Sequence, residues 1–166
     1  MKDELETNHG FAIRVLDIED AGESDEDIQK ELLNSLYQDS KERSRAIFLI
    51  ATYGEGGPAD NSVSFVEMLE RKSGIKGPAS ELVLDHSEID SDFMCGLEYS
   101  VFGLGNVQYS HYNAMGKLVD KCLSKIGATQ VVELGLGNDD ENTEKDFKDW
   151  KNNILIPALT KRYIVS

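Results

Sequence analysis

The chain has 166 residues, enough for one domain to bury a core without disulfides or a metal, and 40% of them are hydrophobic. Its 31 acidic side chains against 17 basic ones give a formal charge of -14, which argues against a nucleic-acid partner; the same acidity either steers basic protein surfaces or simply serves solubility. No apolar run is long enough to cross a bilayer, residues 1–8 make neither a signal nor a transit peptide, and Cys95 and Cys122 are the only cysteines, so a cytoplasmic chain with reduced thiols and no membrane segment is expected.

Strands and helices alternate along the chain. Residues 2–9 read as the end of a helix capped by Gly10, and residues 11–18 as a short strand. Ser24-Asp25-Glu26-Asp27 resembles a capping box, opening a helix with Ile28, Leu32 and Leu36 on one face. Residues 45–51 form an apolar run suited to a parallel strand covered on both faces, and it stops at the Gly-rich turn 54–58. A helix over 59–72 turns Val63, Val66 and Leu69 inward; residues 73–92 read mostly as surface loop. The next strand is 97–102. The helix after it carries Met115, Leu118, Val119, Cys122, Leu123 and Ile126 at helical spacing and ends at Gly127. Residues 131–136 predict the last strand, and a helix from Asn142 or Thr143 buries Phe147, Trp150 and Ile154 before Pro157. This order predicts an α/β doubly wound parallel sheet in three layers, with its ligand site at the carboxyl ends of the strands.

Two glycine-rich loops lie at such ends. In the first, Thr52-Tyr53-Gly54-Glu55-Gly56-Gly57-Pro58, three glycines let main-chain groups approach a flat ligand and Tyr53 offers an aromatic face; the alternative is a plain turn with a surface tyrosine. The second, Gly103-Leu104-Gly105-Asn106-Val107-Gln108-Tyr109, repeats the plan. It is not a dinucleotide fingerprint, because the third glycine and the acidic residue after the next strand are missing. His9, His86 and His111 are scattered, zinc spacing is absent, and the acidic stretch near 139–149 lacks the glycine and glutamate of a calcium loop.

Taken together, Ala51-Thr52-Tyr53-Gly54-Glu55-Gly56, Val101-Phe102-Gly103-Leu104-Gly105-Asn106 with Tyr109 to Gly116, and Glu133-Leu134-Gly135-Leu136-Gly137 with Asp139 closely resemble the flavodoxin-like FMN domain of the NADPH-cytochrome P-450 reductase (NADPH-haemoprotein reductase) family, over about residues 11–150. The resemblance implies a single flavodoxin-like domain and an oxidoreductase component that binds FMN. Tyr53 and Tyr109 would be the stacking rings, and Ala51, Thr52, Tyr53 and Gly54 the turn around the flavin N5. Leu104, Gly105, Asn106, Val107, Gln108, Tyr109, Ser110, His111, Tyr112 and Asn113 would line the ring and ribityl chain, and Asp139 would close the site. The family commonly has Asp where Gly57 stands. It also implies partners: an FAD/NADPH reductase module on another segment that supplies electrons, and a basic haem protein that accepts them singly. An anchored full-length reductase would sit at the cytosolic face of the endoplasmic reticulum.

Asp140, Glu141, Glu144 and Asp146 extend the acidic stretch beside the implied flavin edge and suit a docking rim for such partners; acids favoured by a helix N-terminus are the alternative. No counterpart of the family's first strand and phosphate loop is found, so a domain partial at its N-terminus, with that strand missing, is expected. A second reading follows: a flavin-free acidic interaction module that docks redox partners without carrying electrons. A receiver-type signalling domain is disfavoured, since its strand-end aspartates and late lysine are not found.

Overall fold

The computed structural model describes residues 1–33 and 44–164. Its centre is a parallel pair, β1 (Ser44–Tyr53) and β3 (Leu97–Gly105), in register from Ser44 opposite Leu97 to Ala51 opposite Leu104. Between them in sequence, β2 (Gly57–Pro58) folds back antiparallel onto Thr52 and Tyr53. On its other side β3 pairs in parallel with two short strands, β4 (Thr129–Gln130) and β5 (Gly135–Asn138).

The side-chain period of two gives the sheet two apolar faces. Phe48, Ile50, Leu97, Tyr99 and Val101 point into one core. That core is completed by α2 (Asp25–Leu33), α3 (Val63–Ser73) and α4 (Ala114–Lys125) through Ile28, Phe65, Met68, Leu69, Met115, Val119 and Leu123. On the opposite face Phe102, with Ile47 and Leu104, meets Phe147 and Trp150 of α5 (Thr143–Trp150) and Leu159 of α6 (Ile156–Ile164). The helix–sheet–helix layering expected of a doubly wound α/β chain is therefore present. An ion pair between Glu4 and Lys151 ties α1 (Lys2–His9) to the turn joining α5 and α6, and Gly10 ends α1 in the left-handed region at φ 71°.

Four local expectations change. Residues 11–18 are not a strand: no described strand lies beside them, and Ile13 N–H is instead bonded to the Glu6 carboxylate at 3.1 Å before a 3-10 turn at Ile18–Ala21. Apolar spacing can favour an extended chain but cannot supply a ladder partner. The expected strand 131–136 is split. Ser100 and Val101 of β3 face four residues, 131–134, so the partner bulges, and Trp150 Nε1 donates to the Glu133 carbonyl at 3.0 Å. Val63 opens α3 and stays exposed, while Phe65 and Met68 join Val66 and Leu69 inside. The last helix continues past Pro157, because residues Lys151–Leu155 form a π turn with Ile156 N–H bonded back to the Lys151 carbonyl. A proline in the turn just after this widening interrupts a ladder that is already interrupted. Leu36 lies outside the described residues. Ser73 ends α3, and residues 74–92 are loop as expected, with one 3-10 turn at His86–Glu88.

Candidate functional site

The register that places Ala51 beside Leu104 brings both glycine-rich loops to one end of the sheet. The first is a tight turn in which Gly56 N–H reaches the Tyr53 carbonyl at 3.2 Å. Gly54 (φ 52°) and Gly56 (φ 90°) both occupy the left-handed region. At Gly54 a Cβ would meet nothing within 4 Å, so its backbone faces open space; at Gly56 a Cβ would lie 2.7 Å from His111 Cβ, so the two loops touch there. Thr52, half-buried, accepts a hydrogen bond from Met115 N–H at 3.1 Å through its hydroxyl. It thereby caps α4 from another strand.

The second loop is held by asparagines. Asn106 accepts from Gln108 N–H at 2.9 Å through its side chain and from Tyr109 N–H at 3.2 Å through its carbonyl, an Asx turn that sets the chain direction before Tyr109. Asn138, on β5, accepts from Val107 N–H at 3.1 Å and Asp140 N–H at 3.2 Å. Asp139 N–H reaches the Gly105 carbonyl at 2.8 Å. The ends of β3 and β5 are thus wired together. Asn138 was not singled out from sequence, where a polar residue in a Gly-Asn-Asp turn carries no periodic signal.

Asn113 is buried, adopts φ 53° at the start of α4, and donates its amide to the Gly137 carbonyl at 3.0 Å. A Cβ on Gly103 would lie 2.6 Å from its Oδ1, and one on Gly105 2.8 Å from its backbone N. Those two glycines therefore make room for Asn113 as much as for any ligand. Asn113 Oδ1 has no hydrogen-bond partner among the described residues. The other aromatic of the loop, Tyr112, is half-buried under the Lys117 ammonium, 5.1 Å from its ring centroid.

Tyr53 and Tyr109 behave differently. Their side chains stand at the adjacent strand ends, 73% and 68% exposed. Large apolar rings left in water at the mouth of a rigid turn can bind the faces of a planar ligand, and the open backbone at Gly54 can meet such a ligand's edge. Val107, Gln108 and Ser110 are also exposed, while Ala51, Leu104, Gly105, Asn106 and His111 are half-buried. The donor set fits the ring end of a flavin.

The acidic stretch divides by partner. Asp146 turns inward and accepts from Asn138 N–H at 2.9 Å, and Asp140 bonds the Gln108 amide. Glu144 pairs with Lys148 at 2.8 Å; that hydrogen bond and charge hold its carboxyl below the ordinary value and push the lysine up. Asp139 and Glu141 are exposed, with no side-chain partner among the described residues. They rim a cleft of about 540 Å³ floored by Leu49, Leu104 and Phe147.

The flavodoxin family model matches residues 1–150, and the chain belongs to that family. NADPH–cytochrome P450 reductase of Sus scrofa is 42% identical over 122 residues, covering 74% of this chain and 15% of that protein. The Musca domestica reductase of the same name is 46% identical over 109 residues, covering 66% and 14%. The resemblance seen in the three loop stretches is thus borne out, and the chain spans about 15% of the length of such relatives. Oxidised Flavodoxin 1 of Bacillus cereus, at 21% identity and a TM-score of 0.41, aligns over 80% of this chain and 85% of its own, too loosely to add to the family match. No helix among the described residues is long and apolar enough to cross a membrane.

Proposed function

We propose that this chain binds FMN and serves as the one-electron carrier between an FAD/NADPH reductase module and a basic haem protein such as a cytochrome P-450. The observation that carries the reading is the pair of exposed rings, Tyr53 and Tyr109, on two loops held rigidly at adjacent strand ends. When bound, the flavin supplies one-electron chemistry at its ring system. The two tyrosines take its two faces and keep water from them. Gly54 offers its carbonyl to the N5 edge, Ala51 and Thr52 fix that turn, and the stretch from Leu104 to Asn113 lines the ring and ribityl chain. Asp139 closes the site.

Asp139, Asp140, Glu141 and Glu144 form the rim that meets a basic partner, with an effect mainly on encounter rate. The reductase names of the relatives support this assignment. A place in the cytoplasm, or on the cytosolic face of the endoplasmic reticulum within an anchored reductase, accords with it. Titration of the purified chain with FMN tests it: saturable quenching of flavin fluorescence with a shifted visible spectrum is expected. No binding at millimolar FMN refutes the carrier role. The unpartnered carboxylates of Asp139 and Glu141 then favour the second reading, an acidic docking module without flavin.

A further inference from the structure

Glu70 is an acid where packing calls for none. It lies on the inner side of α3 among Val66, Leu69 and Ser73, and is 3% exposed. Burying a carboxylate is costly unless its oxygens are bonded. Both are, and both to one short loop: Oε1 accepts from Gly77 N–H at 2.5 Å and Oε2 from the Ser80 hydroxyl at 2.7 Å. The loop closes on itself through Ser80 N–H to the Gly77 carbonyl at 3.3 Å, which leaves Pro78 and Ala79 at its tip.

That tip rests on the flavin-side turn. A Cβ on Gly56 would lie 2.8 Å from Pro78 Cγ, and one on Gly57 would lie 3.5 Å from Ala79 Cβ. Behind it, a Cβ on Gly77 would lie 2.8 Å from Leu118 Cδ2, so the loop also packs against α4. A loop in contact on both sides can pass its position to what it touches. The turn it touches is the one that carries Tyr53 and Gly54.

We propose that Glu70 is a positioning residue for the Tyr53-Gly54-Glu55-Gly56-Gly57 turn, acting through the Gly77 to Ser80 loop, and that it thereby tunes flavin affinity without touching the flavin. The effect on affinity rests on the FMN reading above; the effect on the turn does not. Glu70→Ala removes both bonds. Glu70→Gln keeps a carbonyl for Gly77 N–H and an amide for the Ser80 hydroxyl, which can rotate to accept.

The test is amide hydrogen exchange on the flavin-free chain, with FMN titration alongside and far-UV circular dichroism as the check on folding. Hydrogen bonds to a charged group are strong enough that E70A should raise exchange in residues 53–57 and 77–80 by about tenfold and weaken FMN by about tenfold. Exchange in α4 and β3 should be unchanged, and E70Q should restore most of both effects. A lowered melting temperature with unchanged exchange at 53–57, or a uniform rise along the chain, overturns the proposal. Where E70A does not fold, Ser80→Ala removes one bond only; a local rise of a few-fold supports the link and no rise overturns it. A parent chain that binds no FMN sinks the carrier role, and the exchange data then decide the positioning role alone.

Discussion

Gly116 gives the sharpest test of how the site end of the sheet is built. It sits in the first turn of α4, where a Cβ would lie 2.8 Å from Gly103 Cα and 3.4 Å from Gly103 N. Both atoms are backbone, and β3 is fixed by partners on both sides, so neither can yield as a flexible side chain would. Gly116→Ala gains about 1 kcal/mol in helix propensity. Against that stands overpacking of about 1–3 kcal/mol. Moving α4 outward also strains the bond from Met115 N–H to the Thr52 hydroxyl, a further loss of about 1 kcal/mol. The net expectation is a destabilisation of roughly 1–3 kcal/mol, a drop in urea midpoint of about 0.5–1.5 M at the slopes usual for small domains. Equilibrium unfolding followed by far-UV circular dichroism measures it. A variant as stable as its parent, or more stable, refutes the close-approach reasoning.

Other outcomes test neighbouring claims. Thr52→Val should cost about 1 kcal/mol in the same urea assay by uncapping Met115 N–H, and an unchanged midpoint would remove that cap from the account. Tyr109→Asp should weaken FMN by about tenfold or more in a fluorescence titration, since one stacked ring is worth about 0.5–1.5 kcal/mol and the new charge adds repulsion; equal affinity takes Tyr109 out of the site. Burial pushes the Cys122 thiol from 9.0 up to about 11, with the Glu70 charge adding to the rise. Its contribution is therefore fully present below pH 9 and is lost as pH climbs toward 11, where the unfolded thiol ionises and the folded one does not. Burial also raises the Tyr99 phenol, which extends the loss to higher pH. Urea midpoints should fall above pH 9, and less steeply in Cys122→Ser; identical slopes would contradict the assignment.

The period of the apolar residues made the inner side of α4 legible in sequence, because spacing along one element decides which side chains share a face, and the apolar run 45–51 marked β1 as a parallel strand. The helix at residues 2–9 with Gly10 as its cap was equally legible, since a left-handed cap is a local demand. Two glycine-rich loops at strand ends, and their likeness to one reductase family, came from motif alone. The meaning of individual residues in those loops did not. Gly103 and Gly105 are small because Asn113, several residues later, fills the space a Cβ would need. The acids near the carboxyl end read alike in sequence, yet Asp146 bonds inward and Glu144 is paired, which leaves Asp139 and Glu141 to face outward. The strand expected at 131–136 broke because its ladder partner was two residues short, and the one at 11–18 pairs with no described strand. Sequence thus determined the family and the type and facing of most elements, which depend on neighbours a few residues apart. Pairing, close approach and the partner of each charge join residues tens of positions apart, as Thr52 meets Met115 and Asn138 meets Val107, and only the tertiary structure decided those.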